Sequence, residues 1–238
     1  MPRGVEPRDA VRVQRVGPDG RWNHNLHYHR LILKAVPPGA RTALDVGTGD
    51  GLLARDLRRL VPHVTAIDLD GAVLDRARTE DDGVDWIQGD VRTYPFPLDS
   101  FDVVASVAML HHLPDLEAGL RRLADLTAPG GVLAVVGLAR SSTPLDRLMD
   151  LAGVVEHRAL VRRRRLWEHT APTVWPPAHT YAQVRRAAAR VLPEMRWRRL
   201  PLWRYAIVWT KPRPVRAESP AEALLRIAKL VPRVAPDL

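Results

Sequence analysis

Three glycines at alternate positions, Gly47, Gly49 and Gly51, follow an apolar run that carries one acid, Ala43-Leu44-Asp45-Val46. Without Cβ atoms such a turn bends sharply, and its backbone can touch a ligand. A strand that enters a glycine-rich turn and leaves as a helix is dinucleotide-fold logic, which does not by itself select the cofactor. A nicotinamide fingerprint, G-x-G-x-x-G, needs its third glycine at position 52, where this chain has Leu52. A second carboxylate, Asp68, closes the next apolar run, 17 positions after Gly51. There it can accept two hydrogen bonds from vicinal ribose hydroxyls or cap the following helix. Asp70 suits the capping role better. Gln88-Gly89-Asp90-Val91 follows a third apolar run, and alone it is an ordinary turn.

The fourth run, Phe101 to Val107, leads into Ala108-Met109-Leu110-His111-His112-Leu113-Pro114. Strand ends at the carboxyl edge of an open sheet face the ligand crevice. Residues 106 to 112 are therefore expected to border a ligand. A histidine there can act as a base near neutrality. His111 is the candidate, and at least one of the pair is expected to pack or cap instead.

Taken in order, Asp45, Gly47, Gly49 and Gly51, then Asp68, Asp90-Val91 and the "FD-apolar run-LHHL" stretch resemble the class I S-adenosylmethionine-dependent methyltransferases. The similarity covers residues 41 to 138. It is greatest to the small-molecule group that includes the ubiquinone and menaquinone biosynthesis methyltransferases. The resemblance implies that S-adenosylmethionine is the cofactor and S-adenosylhomocysteine the product. It implies that Gly47, Thr48, Gly49 and Gly51 wrap the methionine portion, with Asp45 holding its amino group directly or through water and Asp50 shaping the turn. Asp68, with Leu69 beside it, would take the ribose. Asp90 would bond the adenine amino group and Val91 support the ring. Ser106 and Val107 would border cofactor and acceptor. Tyr28, on an N-terminal helix, would meet the methionine end, with plain packing of Trp22 and Tyr28 as the alternative.

The elements that must position these groups alternate strand and helix, the signature of a parallel sheet with crossover helices. Strands are expected at Thr42–Val46, Val64–Ile67, Val84–Gln88, Phe101–Val107 and Val132–Leu138. Helices are expected at Gly51–Leu60, with Leu52, Leu53, Leu57 and Leu60 inward, at Asp70–Arg78 and at Leu116–Leu126. The helix Tyr181–Val191 and the strands Arg196–Leu200 and Tyr205–Trp209 finish the domain as a hairpin. The fold class is thus α/β: a Rossmann-like, mostly parallel seven-stranded sheet with a C-terminal antiparallel hairpin and helices on both faces. Residues 1–20 read as a flexible arm, 21–211 as the methyltransferase domain and 212–238 as a tail. Within the domain lie an N-terminal helix (21–36), a cofactor half (41–138), a lid-like insertion (143–180) and the closing helix and hairpin (181–211).

Composition narrows the partners. The chain has 238 residues and no cysteine, which excludes disulfides and thiolate metal sites. No signal-peptide pattern and no run of about 18 apolar residues occurs, so a cytoplasmic protein without a membrane span is expected. The net charge of +9 comes almost wholly from arginine, since lysine stands only at Lys34, Lys211 and Lys229. That leaves a polyanion or RNA acceptor as an alternative, drawing on the arginines around 158–165 and 185–199. The N/D-P-P-Y/F signature of many amino-methylating nucleic-acid enzymes is missing after the fourth strand, where Ser106-Val107-Ala108-Met109 stands. A non-catalytic cofactor-binding module is the alternative from another class. In the insertion, Trp167, Glu168, His169, Trp175 and His179 suggest a flat apolar wall suited to an aromatic or apolar small molecule. These histidines lack H-E-x-x-H or any compact ligand spacing, so no metal is expected.

Overall fold

The computed structural model describes residues 21–80, 83–163, 165–166 and 175–214. The N-terminal arm, the tail beyond residue 214, and Trp167, Glu168 and His169 lie outside them. Seven strands form one sheet: β1 Thr42–Val46, β2 His63–Asp68, β3 Asp85–Gln88, β4 Phe101–Val107, β5 Thr127–Leu138, β6 Arg196–Leu200 and β7 Arg204–Thr210. Their spatial order is β3-β2-β1-β4-β5-β7-β6. Neighbours from β3 to β5 pair in parallel, and β7 pairs antiparallel with both β5 and β6. Strands covered on both faces need apolar residues throughout, and Val103, Val104 and Ala105 of β4 are fully buried.

Among the described residues there are six α-helices: α1 His24–Leu33, α2 Leu52–Arg58, α3 Gly71–Glu80, α4 Leu116–Leu126, α5 Pro144–Val161 and α6 Tyr181–Val191. On one face Tyr28 and Ile32 of α1 and Leu53 and Leu57 of α2 join Trp22 in a core layer. On the other, Leu120 and Leu123 of α4 and Val184 and Ala188 of α6 form the second layer. Each fully buried leucine contributes about 1.5–3 kcal/mol, so these two layers hold the sheet edge in place. The caps are local chemistry. Asp70 accepts from Ala72 N, as its position before α3 suggested, and Asp115 accepts from Ala118 N. Thr143 with Asp146, and Thr180 with Gln183, form capping boxes that start α5 and α6.

Three expectations shift. Leu60 is 37% exposed, because α2 ends at Arg58 and the chain turns away before completing the inward stripe. β5 begins at Thr127 rather than Val132: Pro129-Gly130-Gly131 lies inside the strand, where the register with β4 shifts between Phe101 and Val103. The segment read as a lid-like insertion opens with a regular helix, α5, that runs to Val161 with Arg162 as its C-cap.

The chain runs β1, β2, β3 to one side and returns to place β4 on the other side of β1. That reversal leaves a crevice beyond the carboxyl ends of β1 and β4.

Candidate active site

A cavity of about 400 Å³ occupies this crevice. Every strand of the sheet but β6 contributes to its wall, either by its end or by the loop that follows it. Asp90 and Val91 follow β3, Asp68 ends β2, and Gly47, Thr48 and Gly49 follow β1. Val107, Ala108 and Met109 follow β4, Leu138 ends β5 and Arg204 begins β7. Asn25, Leu26 and His29 of α1 cover it, with Leu69, Leu52 and both histidines of the His111-His112 pair also on the wall.

In the glycine turn, Gly47, Gly49 and Gly51 all have positive φ, the left-handed region that favours glycine. Their tasks differ. A Cβ on Gly49 would meet nothing within 4 Å, so the turn leaves open space there for a ligand. A Cβ on Gly51 would strike the Trp86 ring, and one on Gly47 would lie 2.7 Å from Met109 Cβ. Gly51 does not line the cavity; it lets α2 start against β3. Asp68 braces the turn: one carboxylate oxygen accepts from Gly49 N at 2.9 Å and the other from Asp70 N at 3.0 Å. Each oxygen keeps a second lone pair. Asp45 is 1% exposed and accepts from Thr48 Oγ1 at 2.6 Å. Burial pushes its carboxyl up to about 6 despite that bond. Asp90 is held by its own neighbour: Arg92 grips both carboxylate oxygens through Nε and Nη2, and its backbone N–H adds a third donor. These bonds hold the Asp90 carboxyl below the usual range.

Across the cavity the chain leaves β4 through Ala108, a non-glycine residue at φ 55°. This strained turn starts a short 3₁₀ helix, Leu110–His112, that presents the histidines. Their rings lie 4.0 Å apart between centroids. His111 Nδ1 is buried without a partner. Burial, then the charges of His112 and Arg204, bring the His111 imidazole down to about 4, so it is neutral at pH 7. Burial lowers His112 as well.

Besides Gly51, two expected contacts fall elsewhere. Tyr28 is absent from the cavity wall: its ring is buried and its hydroxyl donates to Pro201 O at 2.7 Å, the packing alternative. Ser106 is fully buried, and its hydroxyl ties β4 to β1 by donating to Val46 O at 3.0 Å. Trp175 is 63% exposed. His179 lines a different, open groove of about 780 Å³ between α4 and α6, with Arg121, Arg186 and Arg190. That groove shares no residue with the cavity. Among the described residues no cluster could hold a metal. Arg204 was not anticipated. Its signal was one arginine opening an otherwise apolar strand, Tyr205-Ala206-Ile207-Val208-Trp209.

The open space at Gly49, the carboxylate of Asp68 beside it and the buried Asp45 behind it fit S-adenosylmethionine, with its ribose hydroxyls and methionine ammonium. Comparison with known proteins agrees. Residues 44–135 match the family model described as a methyltransferase domain. An uncharacterized methyltransferase of Mycobacterium tuberculosis is 41% identical over 196 residues, which is 82% of this chain and 99% of that protein. A ubiquinone biosynthesis O-methyltransferase of Xylella fastidiosa is 38% identical over 128 residues, 50% of this chain and 51% of its own. Two solved structures share the fold. A SAM-dependent methyltransferase from Aquifex aeolicus has a TM-score of 0.53 at 16% identity, covering 76% of this chain and 88% of its own. The [4+2]-cyclase SpnF has a TM-score of 0.58 at 18% identity, covering 84% and 87%. The chain belongs to the class I S-adenosylmethionine-dependent methyltransferases.

Proposed function

We propose that this enzyme methylates a small organic acceptor bound between α1, His111 and the start of β7. The observation that carries this reading is one cavity with a braced glycine turn on one side and a neutral, half-buried histidine on the other. The cofactor, when bound, supplies a methyl group already activated on a sulfonium. The protein's own task is alignment and exclusion of water. Gly47 to Gly49 and Asp45 hold the methionine end, Asp68 the ribose, and Val91 supports the adenine. Asp90 reaches the adenine amino group only by sharing a carboxylate that Arg92 already grips. As the methyl group arrives, His111 takes the proton that an O–H, N–H or C–H acceptor loses. A base near 4 is too weak to ionise a hydroxyl in advance, so the two events are concerted. The cytoplasm is the compartment this reading assigns.

A polyanion acceptor is less well supported. Arg190 pairs with Glu117, and Arg199 pairs with Asp150 and stacks on Tyr181. Those two arginines are engaged within the fold, and the groove lined by Arg121, Arg186 and Arg190 lies apart from the cavity.

Calorimetric titration with S-adenosylhomocysteine tests the reading. Wild-type protein should bind at micromolar Kd. Asp68→Ala should weaken binding roughly 30-fold, about 2 kcal/mol for charge-assisted bonds lost. Absence of binding by folded wild-type protein would sink the assignment.

A further inference from the structure

Two arginines on the closing hairpin have opposite surroundings. Arg199 of β6 lies 2.8 Å from Asp150 and 4.0 Å from Asp146. Arg204, five residues on, has no carboxylate partner among the described residues. It is nevertheless the more deeply buried, at 7% exposure. Its Nη2 donates to Asn25 Oδ1 at 2.9 Å and its Nη1 to Leu202 O at 3.3 Å, while Nε is buried with no partner. Folding alone gives no reason to bury an unpaired guanidinium, because desolvating the charge costs stability unless an anion compensates. Burial brings the group down only to about 10, so it stays charged at pH 7.

Its position says which ligand that anion belongs to. Arg204 pairs with Leu138 at the end of β5, and both line the cavity. β1, β4 and β5 separate it in the sheet from Asp68 on β2, where the ribose would sit. It acts instead on His111, whose basicity its charge depresses. Each terminal nitrogen carries a second N–H beyond the one given to Asn25 or Leu202, and a planar guanidinium pairs with carboxylate oxygens through such donors. Leu26, Met109 and Leu138 supply apolar wall nearby.

We propose that Arg204, oriented by Asn25, binds a carboxylate on the methyl acceptor, which makes the acceptor an organic acid with an apolar body. This rests on the methyltransferase assignment and goes beyond it by naming the substrate class.

The test uses full-length protein saturated with S-adenosylhomocysteine and two matched probe pairs, benzoate with benzamide and 2-naphthoate with 2-naphthamide. At least one acid should bind tenfold or more tightly than its amide. That preference should vanish in Arg204→Met, whose affinity for S-adenosylhomocysteine should stay within threefold. The melting temperature gives a reading independent of any ligand: Arg204→Met should melt at or above wild type, since it removes an uncompensated buried charge. Equal or absent binding of acids and amides by the loaded wild-type protein overturns the proposal. So does tighter binding of inorganic phosphate than of either acid. A tenfold loss of S-adenosylhomocysteine affinity in folded Arg204→Met would instead place the arginine on the cofactor's own carboxylate. A fall in melting temperature of several degrees would make it structural. Failure of wild-type protein to bind S-adenosylhomocysteine at all would be the failure of the underlying assignment, seen before any acid is added.

Discussion

The two ends of the cavity are built by different means. At the cofactor end seven consecutive residues, Asp45 to Gly51, set the geometry through backbone conformation, and Asp68 locks it by accepting from Gly49 N. At the acceptor end the wall is assembled from α1, the turn after β4, the end of β5 and the first residue of β7. Asn25 and Arg204 meet there across 179 positions of sequence. A local backbone device is robust to changes elsewhere and serves any enzyme that needs the same cofactor. An assembly of distant side chains can change one member at a time, which is what specificity for an acceptor requires.

The largest effect expected from this contrast is on turnover. Replacing His111 with Gln keeps the size and polarity of the side chain but removes the base. With an acceptor in hand, kcat should fall by roughly 10²–10³-fold, while the Kd for S-adenosylhomocysteine changes less than twofold. If binding and turnover fell together, His111 would belong to the cofactor end and the division would fail.

A smaller effect separates the glycines within the turn. Gly51→Ala places a Cβ against the Trp86 ring at a positive φ, so it should cost stability, about 3 kcal/mol from overpacking and strain together. Gly49→Ala meets no atom within 4 Å, so its stability cost should be about 1–2 kcal/mol, the left-handed penalty alone. Its added methyl group instead takes up ligand space, and S-adenosylhomocysteine affinity should drop tenfold or more. Urea unfolding and calorimetry on the two variants check the assignment. The reverse pattern would mean that Gly51, not Gly49, touches the cofactor.

The same contrast explains what was legible in the sequence. β1, β4 and α4 fall on their expected bounds, because continuous apolar runs and helical periodicity are local signals. The cofactor turn is legible for the same reason. The resemblance implied a cavity contact for Tyr28, yet α1 lines the cavity with Asn25, Leu26 and His29 instead. The Tyr28 hydroxyl is captured by Pro201 O of the hairpin, a partner 173 positions away that no periodicity reveals. Ser106 is lost to the same kind of cause, a cross-strand carbonyl on β1. Arg204 left only a weak local signal, because its meaning lies in a missing partner. Only the folded arrangement shows that Asp146 and Asp150 serve Arg199 and leave Arg204 without an acid.

The smallest effect is a pH dependence that sharpens the cofactor end. Asp45 has a folded pKa raised from 3.8 to about 6 by burial. Its contribution to stability is therefore fully present below 3.8 and is lost as pH rises through 6. At pH 7 the buried carboxylate is ionised at some cost to the fold. A cofactor ammonium would offset that cost, and protonation would abolish the attraction. The Kd for S-adenosylhomocysteine should thus weaken as pH falls from 7 to 5, by about tenfold at most, since a single carboxyl is only about one-tenth ionised one unit below its pKa. Asp45→Asn retains an oxygen to accept from Thr48 Oγ1, so it should be no less stable than wild type at pH 7 while binding S-adenosylhomocysteine more weakly. At pH 5 the two proteins should converge in affinity, and the variant should show a flat profile between pH 5 and 7. A variant that kept the wild-type slope would assign the titration to a neighbouring histidine. In that case Asp45 would be a brace for Thr48 alone, and the cofactor end would rest on backbone geometry and Asp68.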